Sequence, residues 1–287
     1  MPVILTIDQG NTRTKVEVFT DPASGAVYSA VMEEPDLERL DAIITEYGVT
    51  VGAMCSIKHV DPRLAETLRR MLPGGLLLLT HETPVPVRVD YDTPTTLGPD
   101  RVAALCGAAS LYPGRDLLVV DAGTAITLDL LAGSPCTAVF GGEAPEAATP
   151  AFLGGNISAG VSLRLKALHE HTASLPQVPA DGPLPPIGRD TATALRCGAI
   201  HGAAREILGT LADARAHWGR PFTLLLTGGD APLLLPLLSD SSTLPSRDER
   251  ATVFGGKAPE QRAASVEYSP DLIPAGLISI LKHNDYI

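Results

Sequence analysis

The chain has 287 residues and a mass of 30.0 kDa, a length that suggests about two domains. With 45% hydrophobic and 19% charged residues it has enough apolar side chain for packed cores, so disorder is not expected as its main state. Twenty-two Lys and Arg against 33 Asp and Glu leave a formal charge of −11, with no long basic run and only 4% aromatics. That balance argues against tracking a nucleic-acid backbone or stacking single strands.

In chain order, Ile4 to Ile7 is an apolar run ending in Asp8-Gln9-Gly10-Asn11-Thr12, and Thr14 to Phe19 then alternates with period two. This pattern predicts a strand, a glycine-bearing turn and a second strand. Ala26 to Met32 reads as a strand, Asp36 to Tyr47 as a helix, and Val51 to Ser56 as a short strand. Pro62 to Leu72 reads as a helix with Asp61 as its N-cap. Leu76 to Leu79 is expected as a buried strand and Pro99 to Leu111 as an Ala-rich helix. Leu118 to Ala125 repeats the opening pattern, with Asp121-Ala122-Gly123-Thr124 after an apolar run and Ile126 to Leu130 alternating beyond it. Helices are expected from about Val161 to His171 and from Thr191 to His217. Phe222 to Leu226 is a strand ending in Thr227-Gly228-Gly229-Asp230, and a last helix covers about Asp271 to Leu281.

The two Asp-x-Gly turns lie 113 residues apart, from Asp8 to Asp121, which points to a duplicated α/β domain. The expected division is residues 1–115 and 116–287, with a boundary at Tyr112-Pro113-Gly114-Arg115. Val139 to Pro150 and Ser239 to Ala264 read as surface inserts, and the first lengthens the connection into a loop at Gly154-Gly155. They share an echo, Val139-Phe140-Gly141-Gly142 against Val253-Phe254-Gly255-Gly256, that has no functional account. No targeting or membrane-spanning segment is visible. Cys55, Cys106, Cys136 and Cys197 form no C-x-x-C pair and read as scattered reduced thiols. The seven histidines are scattered too, and His169 and His171 do not share a helical face.

An Asp-x-Gly turn at a strand end lets backbone amides approach phosphate oxygens and places a carboxylate where it can hold a cation. Two such turns, with Thr-Gly-Gly after a third strand, could grip a nucleotide without any basic cluster. There is no P-loop and no strand-to-helix G-x-G-x-x-G, so those nucleotide folds have no support.

These turns resemble the phosphate and adenosine loops of the acetate and sugar kinase/Hsc70/actin superfamily. Within it the chain closely resembles the type III pantothenate kinases. The resemblance rests on Asp8 to Arg13, on Tyr91 with Thr93-Pro94, and on Leu97 to Ala104. It continues through Asp121 to Ala125, Gly154 to Gly160, Gly188 to Thr191 and Thr227 to Ala231, in family order. The sequence departs modestly from the family's pattern, with Thr93, Pro99 and Ala159 where Asn, Ala and Pro are common.

The resemblance implies two ribonuclease-H-like (actin-like ATPase) α/β domains with an interdomain cleft, and ATP-dependent phosphorylation of pantothenate, the first step toward coenzyme A. It implies Asp100 as proton acceptor. Asp8, Gln9, Gly10, Asn11, Thr12, Arg13, Thr14, Lys15, Thr124, Gly228 and Gly229 would bind ATP. Tyr91, Gly98, Pro99, Asp100, Arg101 and Thr191 would bind the acceptor, with Thr191 reaching it across a dimer interface or, at the same time, capping its helix. Asp8 would orient Mg²⁺-ATP and Asp121 would hold a monovalent cation, K⁺ or NH₄⁺. A cytoplasmic homodimer with no nucleic-acid or membrane partner is expected. Another small-molecule kinase of the superfamily, or a non-enzymatic transcription accessory factor, is the alternative.

Overall fold

The computed structural model describes residues 1–89, 91–133, 149–239 and 266–287. Cys136, the echo and nearly all of the two expected inserts lie outside the described residues. The described chain forms two compact units. The first takes Met1–Arg115, Leu131–Gly154 and Asp271–Ile287; the second takes Asp116–Leu130 and Gly155–Pro270.

In the first unit, strands β1 (Ile4–Gln9) and β2 (Thr14–Phe19) form the expected hairpin. They join β3 (Tyr28–Met32), β4 (Val51–Ser56) and β5 (Leu76–Leu78) in the order β3-β2-β1-β4-β5. β1 runs antiparallel to β2 and parallel to β4, which brings Lys15 and Cys55 into register on either side of Asp8. Strand alternation splits the sheet into two faces. Leu5, Ile7, Val16, Val18 and Met54 form one core with Leu40, Ile43 and Ile44 of α1 (Leu37–Tyr47) and Leu64 and Leu68 of α2 (Pro62–Met71). Both helices begin at acidic N-caps, Asp36 and Asp61, whose carboxylates accept the first free amides. Asp8, Lys15 and Cys55 belong to the other face, where α3 (Pro99–Leu111) and α7 (Leu272–His283) lie against β1 and β4. Those two helices meet backbone to backbone. A Cβ on Gly107 would strike the carbonyl of Leu272, and one on Gly276 would strike that of Ala103. β6 (Arg88–Val89) pairs with Ala151 and Phe152, the first residues of β9 (Ala151–Ala159).

In the second unit, β7 (Leu117–Ala122) and β8 (Ala125–Ala132) form another hairpin. β10 (Thr223–Thr227) pairs parallel with β7 and with β11 (Val266–Tyr268), giving the order β11-β10-β7-β8-β9. α4 (Val161–Glu170) and α6 (Ala231–Ser239) both touch α5 (Thr191–Trp218), whose Ile200, Ala203, Ile207 and Leu211 are buried.

One local expectation changes, and one helix had no expectation attached to it. The stretch at Gly154-Gly155 is strand β9 rather than a loop; Gly154 at φ 115° supplies a conformation that lets a glycine-rich strand persist. Ala231–Ser239 is a helix despite Pro236, because its apolar Leu234 and Leu238 pack into the core and override propensity.

Candidate active site

Asp8 sits at the C-terminal end of β1. Its Oδ1 accepts the thiol proton of buried Cys55 at 3.4 Å. Burial pushes the Asp8 carboxyl up to about 6, with the Cys55 bond opposing and the nearby Asp100 charge adding. Cys55 itself is raised well above the usual thiol range by burial and by the two aspartates, so it remains a protonated donor. Sequence reading missed Cys55; its register with Asp8 at the ends of two parallel strands is the signal that could have found it.

Beyond Asp8 the loop 10–13 is closed by the Gly10 amide donating to the Arg13 carbonyl at 2.9 Å. Asn11, Thr12 and Arg13 stand exposed, while Thr14 is fully buried and its hydroxyl has no hydrogen-bond partner among the described residues. Lys15 Nζ pairs with buried Glu17 at 3.0 Å and with Asp271 at 3.5 Å. The Gln9 side chain is 6% exposed and hydrogen-bonded at both ends.

Asp100 lies in the first turn of α3, after Gly98 at the N-cap and Pro99 at the first helical position. The proline lacks an amide that would be unpaired there anyway. The Asp100 carboxylate accepts the Arg101 amide at 2.9 Å, and burial raises its pKa above the ordinary value against the pull of that bond and of the Arg101 charge. Arg101 is only 5% exposed, and its guanidinium lies 6.0 Å from the Tyr91 ring centre and 5.7 Å from that of Phe152. The two rings are themselves 5.6 Å apart, so both flank the guanidinium at the outer reach of a cation–π contact. Phe152 had no sequence signal, since it reaches Arg101 only through the pairing of β9 with β6.

In the second unit, Asp121 is half-buried near the end of β7 and Thr124 is exposed in the two-residue turn to β8. Gly228 follows β10 at φ 93°, where a Cβ would strike the Ala122 carbonyl and Asp121 Oδ1. Asp230 donates its amide to the Ala122 carbonyl at 2.8 Å, and Gly160 donates to the Thr124 carbonyl at 3.0 Å. Gly229 is exposed, with open space around it. The turn after β7 is therefore lined by backbone that only glycines allow so close.

Thr191 is exposed as the first residue of α5, and the cap of that helix is Asp190 instead. Asp190 wins because Thr193 stands at the third helical position and completes a reciprocal capping box with it. Arg196 and Cys197 of α5 hold the preceding chain by hydrogen bonds to the carbonyls of Pro179, Pro183 and Pro185.

Among the described residues no group of three or more His, Cys, Asp or Glu could by itself hold a metal ion. None of the described helices is long and apolar enough to cross a membrane.

The model of the type III pantothenate kinase family matches residues 4–213. A type III pantothenate kinase of Bacteroides fragilis is 38% identical over 226 residues, which cover 79% of this chain and 85% of the relative. One from Porphyromonas gingivalis is 34% identical over 283 residues, 98% of either chain. Among solved structures, a glucokinase from an Antarctic psychrotroph superposes with a TM-score of 0.50 at 11% identity over 99% of each chain. A Campylobacter jejuni chain named for the Baf family of transcriptional activators gives 0.54 at 18% identity over 99% of this chain and 100% of its own. The fold is thus that of the actin-like ATPases and sugar kinases. A family model that covers most of the chain, and relatives aligned along nearly its full length, agree with the order of the site motifs: the chain belongs to the type III pantothenate kinase family.

Proposed function

We propose that this chain transfers the γ-phosphoryl group of ATP to the primary hydroxyl of pantothenate, giving 4′-phosphopantothenate and ADP at the start of coenzyme A synthesis. The observation that carries the reading is the Asp100–Arg101 pair at the head of α3: a partly desolvated carboxylate next to a buried cation that lies against two aromatic rings. The hydroxyl oxygen attacks the γ-phosphorus, the bond to the ADP oxygen breaks, and the hydroxyl proton passes to Asp100. The carboxylate contributes mainly by orienting the hydroxyl, because the transition state is loose. Arg101, with Tyr91, Gly98 and Pro99, is assigned to the acceptor, the guanidinium matching an oxyanion through its fixed fork of donors. Thr191 is assigned to the acceptor of a partner copy in a homodimer.

Asp8, Gly10, Asn11, Thr12 and Arg13 are assigned to the ATP phosphates, and Thr124, Gly228 and Gly229 to the nucleotide on the second unit. Lys15 is kept as a phosphate contact, held by Glu17 near Asp8. A single half-buried carboxylate suits a Mg²⁺ that arrives already bound to ATP better than a resident metal, and Asp8 provides it. Mg²⁺ would supply charge neutralisation at the phosphates. Asp121 is assigned to a monovalent cation, K⁺ or NH₄⁺, to which its carboxylate would offer an oxygen ligand. The buried free thiols Cys55, Cys106 and Cys197 support a cytoplasmic location.

The reading is tested with ATP, Mg²⁺ and pantothenate in an ADP-coupled assay, run beside a panel of sugars. Turnover on pantothenate is expected; turnover on a sugar alone would move the chain to another acceptor.

A further inference from the structure

Gln9 stands between Asp8 and Gly10, inside the turn assigned to phosphate, yet its amide is used elsewhere. Glu34, just after β3, lies 3.0 Å from Gln9 Nε2, and the Ser56 hydroxyl at the end of β4 lies 2.8 Å from Oε1. A carboxylate only accepts, so the amide NH₂ must face Glu34; that leaves the amide carbonyl toward the Ser56 hydroxyl, for which it is a nearer acceptor than the Lys58 carbonyl at 3.1 Å. The other oxygen of Glu34 takes Lys58 Nζ at 2.6 Å, and the Lys58 amide donates to the Ser56 oxygen at 3.1 Å. The backbone carbonyl of Gln9 accepts the Ile57 amide at 3.1 Å, as part of the pairing of β1 with β4. Two separate points of the chain, Glu34 and Ser56, therefore grip one buried side chain, and Lys58 braces both.

We propose that Gln9 is a positioning residue rather than a nucleotide contact, and that Glu34 and Ser56 clamp it so that the Asp8–Gly10 backbone is set for phosphate before ATP arrives. This rests on the reading of the Asp8 turn as the phosphate loop. A preset turn loses less freedom on binding, so the clamp acts on ATP affinity and not on the acceptor. The Lys58 contact keeps Glu34 ionised, its carboxyl being held below the ordinary range, which secures the acceptor end.

The test uses exchange of donor and acceptor. Gln9→Glu sets a second carboxylate against Glu34 and should weaken Mg²⁺-ATP binding about tenfold or more, measured by titration calorimetry without pantothenate. Adding Glu34→Gln to that variant restores one NH₂ facing one carboxylate, while Ser56 still donates. The double variant should bind ATP within about threefold of the parent chain. Ser56→Ala, which adds no charge, should weaken binding by about threefold to tenfold with the KM for pantothenate unchanged, and it carries the comparison should Gln9→Glu fail to fold. A double variant that binds ATP no better than Gln9→Glu overturns the clamp, since a direct amide-to-phosphate contact would not be rescued from Glu34. Because the readout is ATP binding, a parent chain that binds ATP but does not turn over pantothenate would sink the acceptor assignment and leave the clamp standing.

Discussion

The two Asp-x-Gly turns share a sequence pattern but are built differently. The first connects β1 to β2 through four residues and leaves Asn11, Thr12 and Arg13 exposed; the second connects β7 to β8 through only Gly123 and Thr124. Both aspartates are half-buried, but Asp8 is pushed up to about 6, mainly by desolvation, and receives a thiol hydrogen bond, whereas Asp121 stands against a glycine that leaves its Oδ1 room. A longer loop with exposed polar side chains would suit a chain of phosphates. A tight one, closed by backbone carbonyls and backed by Gly228, suits a close approach or a bare cation. The two hairpins thus share one pattern and differ in loop length and in what surrounds each aspartate.

That division can be broken in order of expected effect. Asp100→Asn should lower kcat about 10²- to 10⁴-fold while calorimetry finds ATP binding intact; parent-like turnover would remove Asp100 from the proton-accepting role. Asp8→Asn should weaken Mg²⁺-ATP by tenfold or more and yet raise the melting temperature near neutral pH. The sign follows from linkage. The folded chain holds its Asp8 proton up to about pH 6, against an ordinary value of 3.8, so this group's contribution to stability falls as pH rises between the two and stays unfavourable above. The melting-temperature gain of Asp8→Asn should therefore shrink as pH is lowered from 7 toward 4.5, and a gain independent of pH would contradict the buried-carboxylate account.

Gly228→Ala should cost about 1–3 kcal/mol, because it forces φ 93° on a residue with a Cβ that meets the Ala122 carbonyl. Denaturant unfolding measures that loss, and an unchanged midpoint would show that the turn relaxes freely. The smallest effect is expected for Asp121→Ala, which should flatten the dependence of rate on K⁺ with little change in melting temperature. An unaltered K⁺ titration would return Asp121 to a purely structural role.

Much of this organisation was legible in the residues. The opening hairpin, the helices behind Asp36, Asp61 and Pro99, and the strand before Gly228 follow from local periodicity and capping, which a linear pattern encodes directly. The surroundings of the site were not. Cys55 reaches Asp8 from 47 positions away through the register of parallel strands, and Phe152 reaches Arg101 only because β9 pairs with β6. Gln9 illustrates a subtler limit. Its place in the motif was visible, but the use of its amide depended on Glu34 and Ser56, which carry no motif of their own. Thr191 shows the competition among caps: two residues could serve, and the one with a reciprocal partner three positions on took the role.

The central claim is that the α3 head receives pantothenate and that Asp100 takes its hydroxyl proton. The most direct measurement is product formation followed by ³¹P resonance, with ATP, Mg²⁺, K⁺ and pantothenate, in the parent chain and in Asp100→Asn. The account predicts a phosphomonoester of pantothenate growing in step with ADP in the parent and about 10²- to 10⁴-fold more slowly in the variant. ADP release without that phosphomonoester, or equal product from both chains, would contradict it.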